Sequence, residues 1–155
     1  MRVLIITVSD TRTDATDRSG ASIEAKLIAA GFECGRAWIT DNRTSIVEQI
    51  EHDHAHDAIV FTGGTGVSPR DVTIEAVAPL LDKVLDGFGE AFRRLSWDEI
   101  GPRAILSRAI AGTRRDKVIV ALPGSVKAVD LALDAILIPV LEHMVRVARG
   151  EKHGH

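Results

Sequence analysis

Three apolar runs constrain this chain more than any other feature: "RVLIITVS" (2–9), "DAIVFTGG" (57–64) and "KVIVALPGS" (117–125). Each is rich in β-branched residues and shows no polar alternation, so each predicts a strand buried on both faces. Each also ends in small or polar residues: Ser9-Asp10, then Thr62-Gly63-Gly64-Thr65-Gly66, then Pro123-Gly124-Ser125. Strands of this kind separated by helical segments predict an α/β fold, a three-layer sandwich whose mostly parallel sheet carries helices on both faces. In such sheets ligands bind outside the carboxyl ends of the strands, so the three loops are expected to crowd one functional edge.

The intervening segments supply the outer layers. "DTRTDATDRSG" (10–20) predicts a polar loop. "ASIEAKLIAAG" (21–31) puts Ile23, Leu27 and Ile28 on one helical face, with Gly31 as its stop. "FECGRAWIT" (32–40) alternates loosely and predicts an outer strand. Ser45 and Glu48 have the spacing of a capping box for a helix over "SIVEQIEHDHAH" (45–56). Further helices are expected from about Val72 to Leu81, over "DGFGEAFRRLSWDEI" (86–100), and from Val126 to Arg149 with a kink near Pro139. "RAILSRAIAG" (103–112) fits helix or strand. With no linker or repeat in view, residues 1–150 are expected to form one domain and 151–155 a frayed tail.

Composition excludes several classes of function. A formal net charge of -3 gives no bulk attraction to nucleic acid or to an anionic membrane. Two Trp, four Phe and no Tyr are too few for stacking on single strands, and Trp38 and Trp97 read as core or interface anchors. No apolar run approaches the ~20 residues of a membrane span. The opening run is short and wrongly flanked for a secretory signal, so a cytoplasmic protein is expected. Cys34, the single cysteine, reads as a small core residue. His52, His54 and His56 recur with a period of two, which shares no helical face, and read as a solvated helix end rather than a metal site.

The loop "TGGTGVSPRDVT" (62–73) carries the strongest chemical signal. It lacks the Gly-Lys-Ser/Thr ending of a P-loop, and Pro69 stands where a dinucleotide loop needs its third glycine. The physics of an oxyanion cradle remains: Gly63, Gly64 and Gly66 remove side chains so that amides can approach a phosphate, and Thr62 and Thr65 add hydroxyls. Asp71 reads equally as the cap of the next helix or as a ligand-handling carboxylate. A carboxylate beside a phosphate site makes sense when a divalent cation lies between them. Asp41 is the candidate second carboxylate, with a helix-start role as its alternative.

Six segments in order now carry a resemblance over nearly the whole chain: "ITVSD" (6–10), "DRSG" (17–20), "TGGTGVSPRDVTIEA" (62–76), "DGFGEAFR" (86–93), "AILSRAIAG" (104–112) and "ALPGSVKAV" (121–129). Together they resemble the molybdopterin adenylyltransferase family, the MogA/MoaB group, with the MoaB branch nearest. The resemblance implies a trimer or hexamer that transfers AMP from ATP to the terminal phosphate of molybdopterin, with Mg²⁺ required and pyrophosphate released. It implies that Asp41 and Asp71 are the catalytic pair, holding Mg²⁺ through substrate phosphates, and that Ser107 serves pterin binding. Ser9, Asp10, Ser19, Gly20, Thr62, Gly63, Gly64, Thr65, Gly66, Glu90, Pro123, Gly124 and Ser125 fall on segments that the family uses around nucleotide and pterin. Arg70 and Arg108 are the arginines expected to meet phosphate. The alternatives are a catalytically silent molybdopterin-binding protein, an oligomeric scaffold, or the nucleotide-hydrolysing CinA branch, which normally carries a longer chain.

Overall fold

A computed structural model describes residues 1–152. One six-stranded sheet has the order β2-β1-β3-β6-β5-β4. Its strands are β1 (Arg2–Val8), β2 (Glu33–Ile39), β3 (Ala58–Thr62), β4 (Lys83–Val84), β5 (Ile110–Arg114) and β6 (Lys117–Leu122). β2, β1, β3 and β6 are mutually parallel. β5 runs antiparallel to β6 and to the short β4, so the mostly parallel sheet ends in a mixed edge. The ambiguous 103–112 segment therefore resolves as a 3₁₀ stretch, Gly101–Leu106, followed by β5. Arg115 turns the β5–β6 hairpin in left-handed backbone, with φ 56°.

The three expected inner strands alternate their side chains between two cores. Val3, Ile5, Val60, Val118 and Val120 face α1 (Arg18–Ala29), α4 (Asp86–Ile100), α5 (Val126–Ala132) and α6 (Ile138–Ala148). Leu4, Ile6, Ile59, Phe61 and Ile119 face α2 (Arg43–His52) and α3 (Thr73–Val77). Both sheet faces are dry, which is why these strands read as continuous apolar runs. Cys34 is half-buried against the first core.

Several helix boundaries differ from the sequence expectation. α1 starts at Arg18 rather than Ala21, because Asp17 Oδ1 accepts from the Gly20 amide at 2.9 Å. Ile28 is exposed, leaving Ile23 and Leu27 as its buried face. The Ser45–Glu48 capping box does not form. Asn42 caps α2 by accepting from the Ser45 amide at 3.1 Å, and the helix stops at His52. His54 and His56 thus lie beyond it, and His56 Nδ1 pairs with Asp53 at 2.7 Å. α3 ends at Val77 and tightens into a 3₁₀ turn, Ala78–Leu80, since Pro79 cannot donate to the preceding turn. A π-helical turn, Leu133–Leu137, precedes Pro139 and absorbs the expected kink. Neither Trp belongs to the core: Trp38 is 36% and Trp97 50% exposed.

Asp17 ties the start of α1 to the sheet. Its carboxylate is fully buried and accepts from Thr7 Oγ1, from Arg36 Nη2 at 2.6 Å and from Trp38 Nε1 at 3.1 Å. Arg36 also lies 4.7 Å from the Trp38 ring centroid. Burial alone would raise this carboxyl, but the hydrogen bonds from Thr7 and Gly20, the Arg36 charge and the Trp38 N–H hold it below its ordinary value. A depressed carboxyl contributes stability above its unfolded value of 3.8 and loses it as pH falls through the lower folded value. Asp17→Ala is expected to cost about 3–5 kcal/mol at neutral pH in urea unfolding, because it strands a buried guanidinium. The deficit should shrink below about pH 4; an unchanged unfolding midpoint at pH 7 would contradict this role.

Candidate functional site

The loops after β1, β2, β3 and β6 meet at one edge of the sheet, as strand polarity requires. The Ser9 amide donates to the Ile39 carbonyl at 2.9 Å, and the Asp41 amide to Asp10 Oδ1 at 3.1 Å, joining the ends of β1 and β2. The Gly63 amide donates to the Leu122 carbonyl at 3.0 Å, and Thr62 Oγ1 to the Pro123 carbonyl at 2.9 Å, joining β3 to β6. Thr62 Oγ1 also lies 3.3 Å from Ser19 Oγ, which reaches the edge from α1.

The glycine loop turns immediately after β3. Gly63 and Gly64 have φ 100° and 68°, and a Cβ on Gly63 would overlap the Val8 carbonyl oxygen. Its carbonyls are held from outside the turn. Thr73 Oγ1 donates to Gly63 O at 2.8 Å, and the Thr73 amide to Gly64 O at 3.0 Å. Arg108 Nε and Nη2 donate to Gly66 O at 3.0 and 2.5 Å. Among the described residues, the amides of Gly64, Thr65, Gly66 and Val67 donate to no protein acceptor. A loop with its glycine carbonyls occupied and its amides unspent is chemically an anion receptor.

Two carboxylates flank this loop. A Cβ on Gly64 would stand 3.1 Å from Asp41 Oδ1, and one on Gly66 would stand 2.7 Å from Asp71 Oδ2. Asp71 does not cap the following helix: Val72 occupies that position without a side-chain bond. Asp71 Oδ2 instead accepts from the Ser68 amide at 2.9 Å, closing the Ser68–Asp71 turn and fixing the carboxylate at the loop. Burial first, then the charges of Asp10 and Asp71, raise the Asp41 carboxyl above its ordinary value, with Arg70 opposing. Among the described residues no group of three or more His, Cys, Asp or Glu could hold a metal by itself. Asp41 and Asp71 can supply oxygens only to a cation whose other ligands are phosphate and water, which is the donor set Mg²⁺ commonly takes.

Two hollows share this edge. Gly63–Gly66, Asp71, Ser107, Pro123, Gly124 and Ser125 line one of about 420 Å³, whose far wall is the apolar trio Phe92, Ile100 and Leu106. Ser9, Ser19 and Thr62 line the second, about 360 Å³, which shares Gly63, Gly124 and Ser125 with the first. Ser107 connects the first to a polar hollow of about 490 Å³ holding Glu90, Arg93 and Arg108. Most expected site residues thus surround one connected region. Gly20 does not reach it, because its buried α-carbon packs against Asp17 and Arg36. Arg108 pairs with Glu75 at 2.5 Å instead of standing free, while Arg70 is exposed. Sequence reasoning missed Asp17, Arg36, Arg93 and Glu75; of these only Asp17 carried a usable signal, a cap residue three positions before Gly20.

The family model described as "probable molybdopterin binding domain" matches residues 4–143. Molybdenum cofactor biosynthesis protein B of Staphylococcus aureus is 44% identical over 151 residues, spanning 94% of this chain and 90% of that one. A crystal structure of a molybdenum cofactor biosynthesis protein B superposes with a TM-score of 0.91 at 43% identity, covering 96% of each chain. The tungsten cofactor synthesizing protein MoaB from Pyrococcus furiosus superposes with a TM-score of 0.86 at 35% identity, again over 96% of each.

The raised Asp41 carboxyl makes a stability prediction. The folded state holds this proton more tightly than the unfolded state, so the ionised group penalises folding above the folded value, and the penalty fades as pH falls toward 3.8. Asp41→Asn is expected to raise the melting temperature at pH 7 by about one or two degrees. The gain should vanish near pH 4. A lower melting temperature at pH 7 would mean that the carboxylate is structurally required.

Proposed function

Because the chain belongs to the probable molybdopterin binding domain family, shared with the molybdenum cofactor biosynthesis proteins MogA and MoaB, we propose that it is a Mg²⁺-dependent molybdopterin adenylyltransferase acting in the cytoplasm. In the proposed reaction an oxygen of the terminal molybdopterin phosphate attacks the α-phosphorus of ATP. The α–β P–O bond breaks and pyrophosphate departs. The observation that supports this most is the juxtaposition of unspent loop amides with Asp41, beside Gly64, and Asp71, beside Gly66.

Each part of the edge has a task in this reading. A phosphate monoester is largely ionised near neutral pH, with a second pKa near ~6, so the attacking group needs no general base. The difficulty is to bring two anions into line, and the loop amides answer it by binding phosphate oxygens in fixed directions. Asp41 and Asp71 would hold Mg²⁺ together with those phosphates, and the ion would neutralise charge on the departing pyrophosphate. Ser125 and Ser107 offer hydroxyls along the connected hollows, and the Phe92–Ile100–Leu106 wall offers an apolar face for a flat heterocycle. Arg70, exposed beside Asp41, is the side chain placed to meet further phosphate charge. A homotrimer or homohexamer is the assembly proposed with this function, and Leu85 and Val147, exposed around one hollow, are available as contact surface for it.

The test is molybdopterin-dependent pyrophosphate release from Mg·ATP by the purified protein. Asp41→Ala and Asp71→Ala are each expected to slow release by about 100-fold or more. Wild-type protein that binds molybdopterin and releases no pyrophosphate would replace the adenylyltransferase with a silent binding protein. Full turnover in Asp71→Asn at saturating Mg²⁺ would remove the carboxylate from the chemistry.

A further inference from the structure

Arg108 was expected to meet phosphate, yet its guanidinium is already engaged on both flanks. Nε and Nη2 converge on the Gly66 carbonyl, while Nη1 and Nη2 reach Oε1 and Oε2 of Glu75 at 2.5 and 3.3 Å. In a trans peptide the carbonyl of one residue and the amide of the next point in opposite directions, so whatever grips the carbonyl also aims the amide. Three loop carbonyls are gripped. Thr73 Oγ1 on Gly63 O aims the Gly64 amide, the Thr73 amide on Gly64 O aims that of Thr65, and Arg108 on Gly66 O aims that of Val67.

We infer that Arg108 is a positioning residue, a strut steadied by Glu75 that turns the Gly66–Val67 peptide so that its amide joins the anion cradle, and that it is not itself a phosphate ligand. Two further contacts fit this role. Arg93 Nη1 donates to the Ser107 and Ala109 carbonyls at 3.3 and 3.2 Å, anchoring the strand-entry segment from which Arg108 extends. Arg43 Nη2 donates to the Glu75 carbonyl at 3.1 Å, anchoring the other end. The Arg108 hydrogen bond also holds the Glu75 carboxyl below its ordinary range, so the pair stays ionised at neutral pH. Thr73 is built into the start of α3, so its two grips come with the fold. The third grip spans 42 residues and depends on one ion pair, which makes it the adjustable member of the set.

The inference rests on the anion-cradle reading of the loop, and one substitution separates strut from ligand by the sign of its effect. Glu75→Gln frees the guanidinium. If Arg108 is a strut, Mg²⁺-pyrophosphate should bind about three- to tenfold more weakly by calorimetry, because the Val67 amide loses its fixed direction. If Arg108 is a phosphate ligand, the freed charge should bind more tightly. Unchanged or tighter binding overturns the inference. Hydrogen exchange on the ligand-free protein supplies an arm that needs no substrate: Glu75→Gln and Arg108→Lys should both speed exchange at the bonded amides of Ser68, Asp71 and Thr73 that hold the loop, with far-UV circular dichroism unchanged. Exchange there equal to wild type would also overturn it. Wild-type protein that fails to bind pyrophosphate while the variants show faster local exchange would refute the cradle and leave the strut standing.

Discussion

A backbone carbonyl, that of Val8 at the end of β1, leaves no room for a side chain where the chain leaves β3, and the functional edge is organised around that exclusion. β1 and β3 are adjacent parallel strands, so their ends lie side by side, and the connection after β3 must rise past the end of β1. It does so by placing Gly63 and then Gly64 in left-handed backbone. The next contacts are equally close: Gly64 fits between Thr73 and Asp41, and Gly66 fits against Asp71. These glycines supply proximity rather than mobility. Their carbonyls are bonded, so the ordering entropy of a glycine-rich segment is offset by bonds that also set the direction of its amides.

How legible this was in the sequence depended on how local each cause is. The inner strands were readable because burial on both faces writes itself as an unbroken β-branched run. The functional edge followed from strand polarity once those strands were placed. Helix starts were not readable to the residue, because Asp17 and Asn42 compete with neighbours such as Ser45 for the same capping task. For Asp17 the sheet settles it, since Thr7, Arg36 and Trp38 also bond that carboxylate, whereas Asn42 caps α2 through the Ser45 amide alone. The cap role of Asp17 has a local signal, but its tie to the sheet has none: its donors Thr7, Arg36 and Trp38 come from two strands that become adjacent only on folding.

The same distinction runs through the site. Asp71 left two readings open in the sequence, and the structure closes one of them: the cap position belongs to Val72, and the carboxylate turns back on Ser68. Arg108 looked like a phosphate arginine because a free guanidinium is the default for an isolated arginine. Its partners, Glu75 and Gly66, lie 33 and 42 residues away, and no local pattern announces them. Gly20 read as part of a ligand loop from its segment, yet it sits one layer below, where its missing side chain admits Asp17 and Arg36.

The electrostatics of the edge give the arrangement its direction. A cradle of amides is attractive to anions, yet Asp10, Asp41 and Asp71 bring three negative charges to it, and burial followed by the charges of Asp10 and Asp71 raises the Asp41 carboxyl. For anion binding alone this is a poor design, since each carboxylate repels the ligand the amides attract. For a phosphate that arrives with a divalent cation the signs reverse, because the cation meets the carboxylates while the phosphate oxygens meet the amides. Arg70 opposes the repulsion at Asp41 without abolishing it. In the proposed reaction that like-charge repulsion would favour a metal-bound nucleotide over the bare anion, with the turn at Gly63 and Gly64 setting the carboxylates beside the amides.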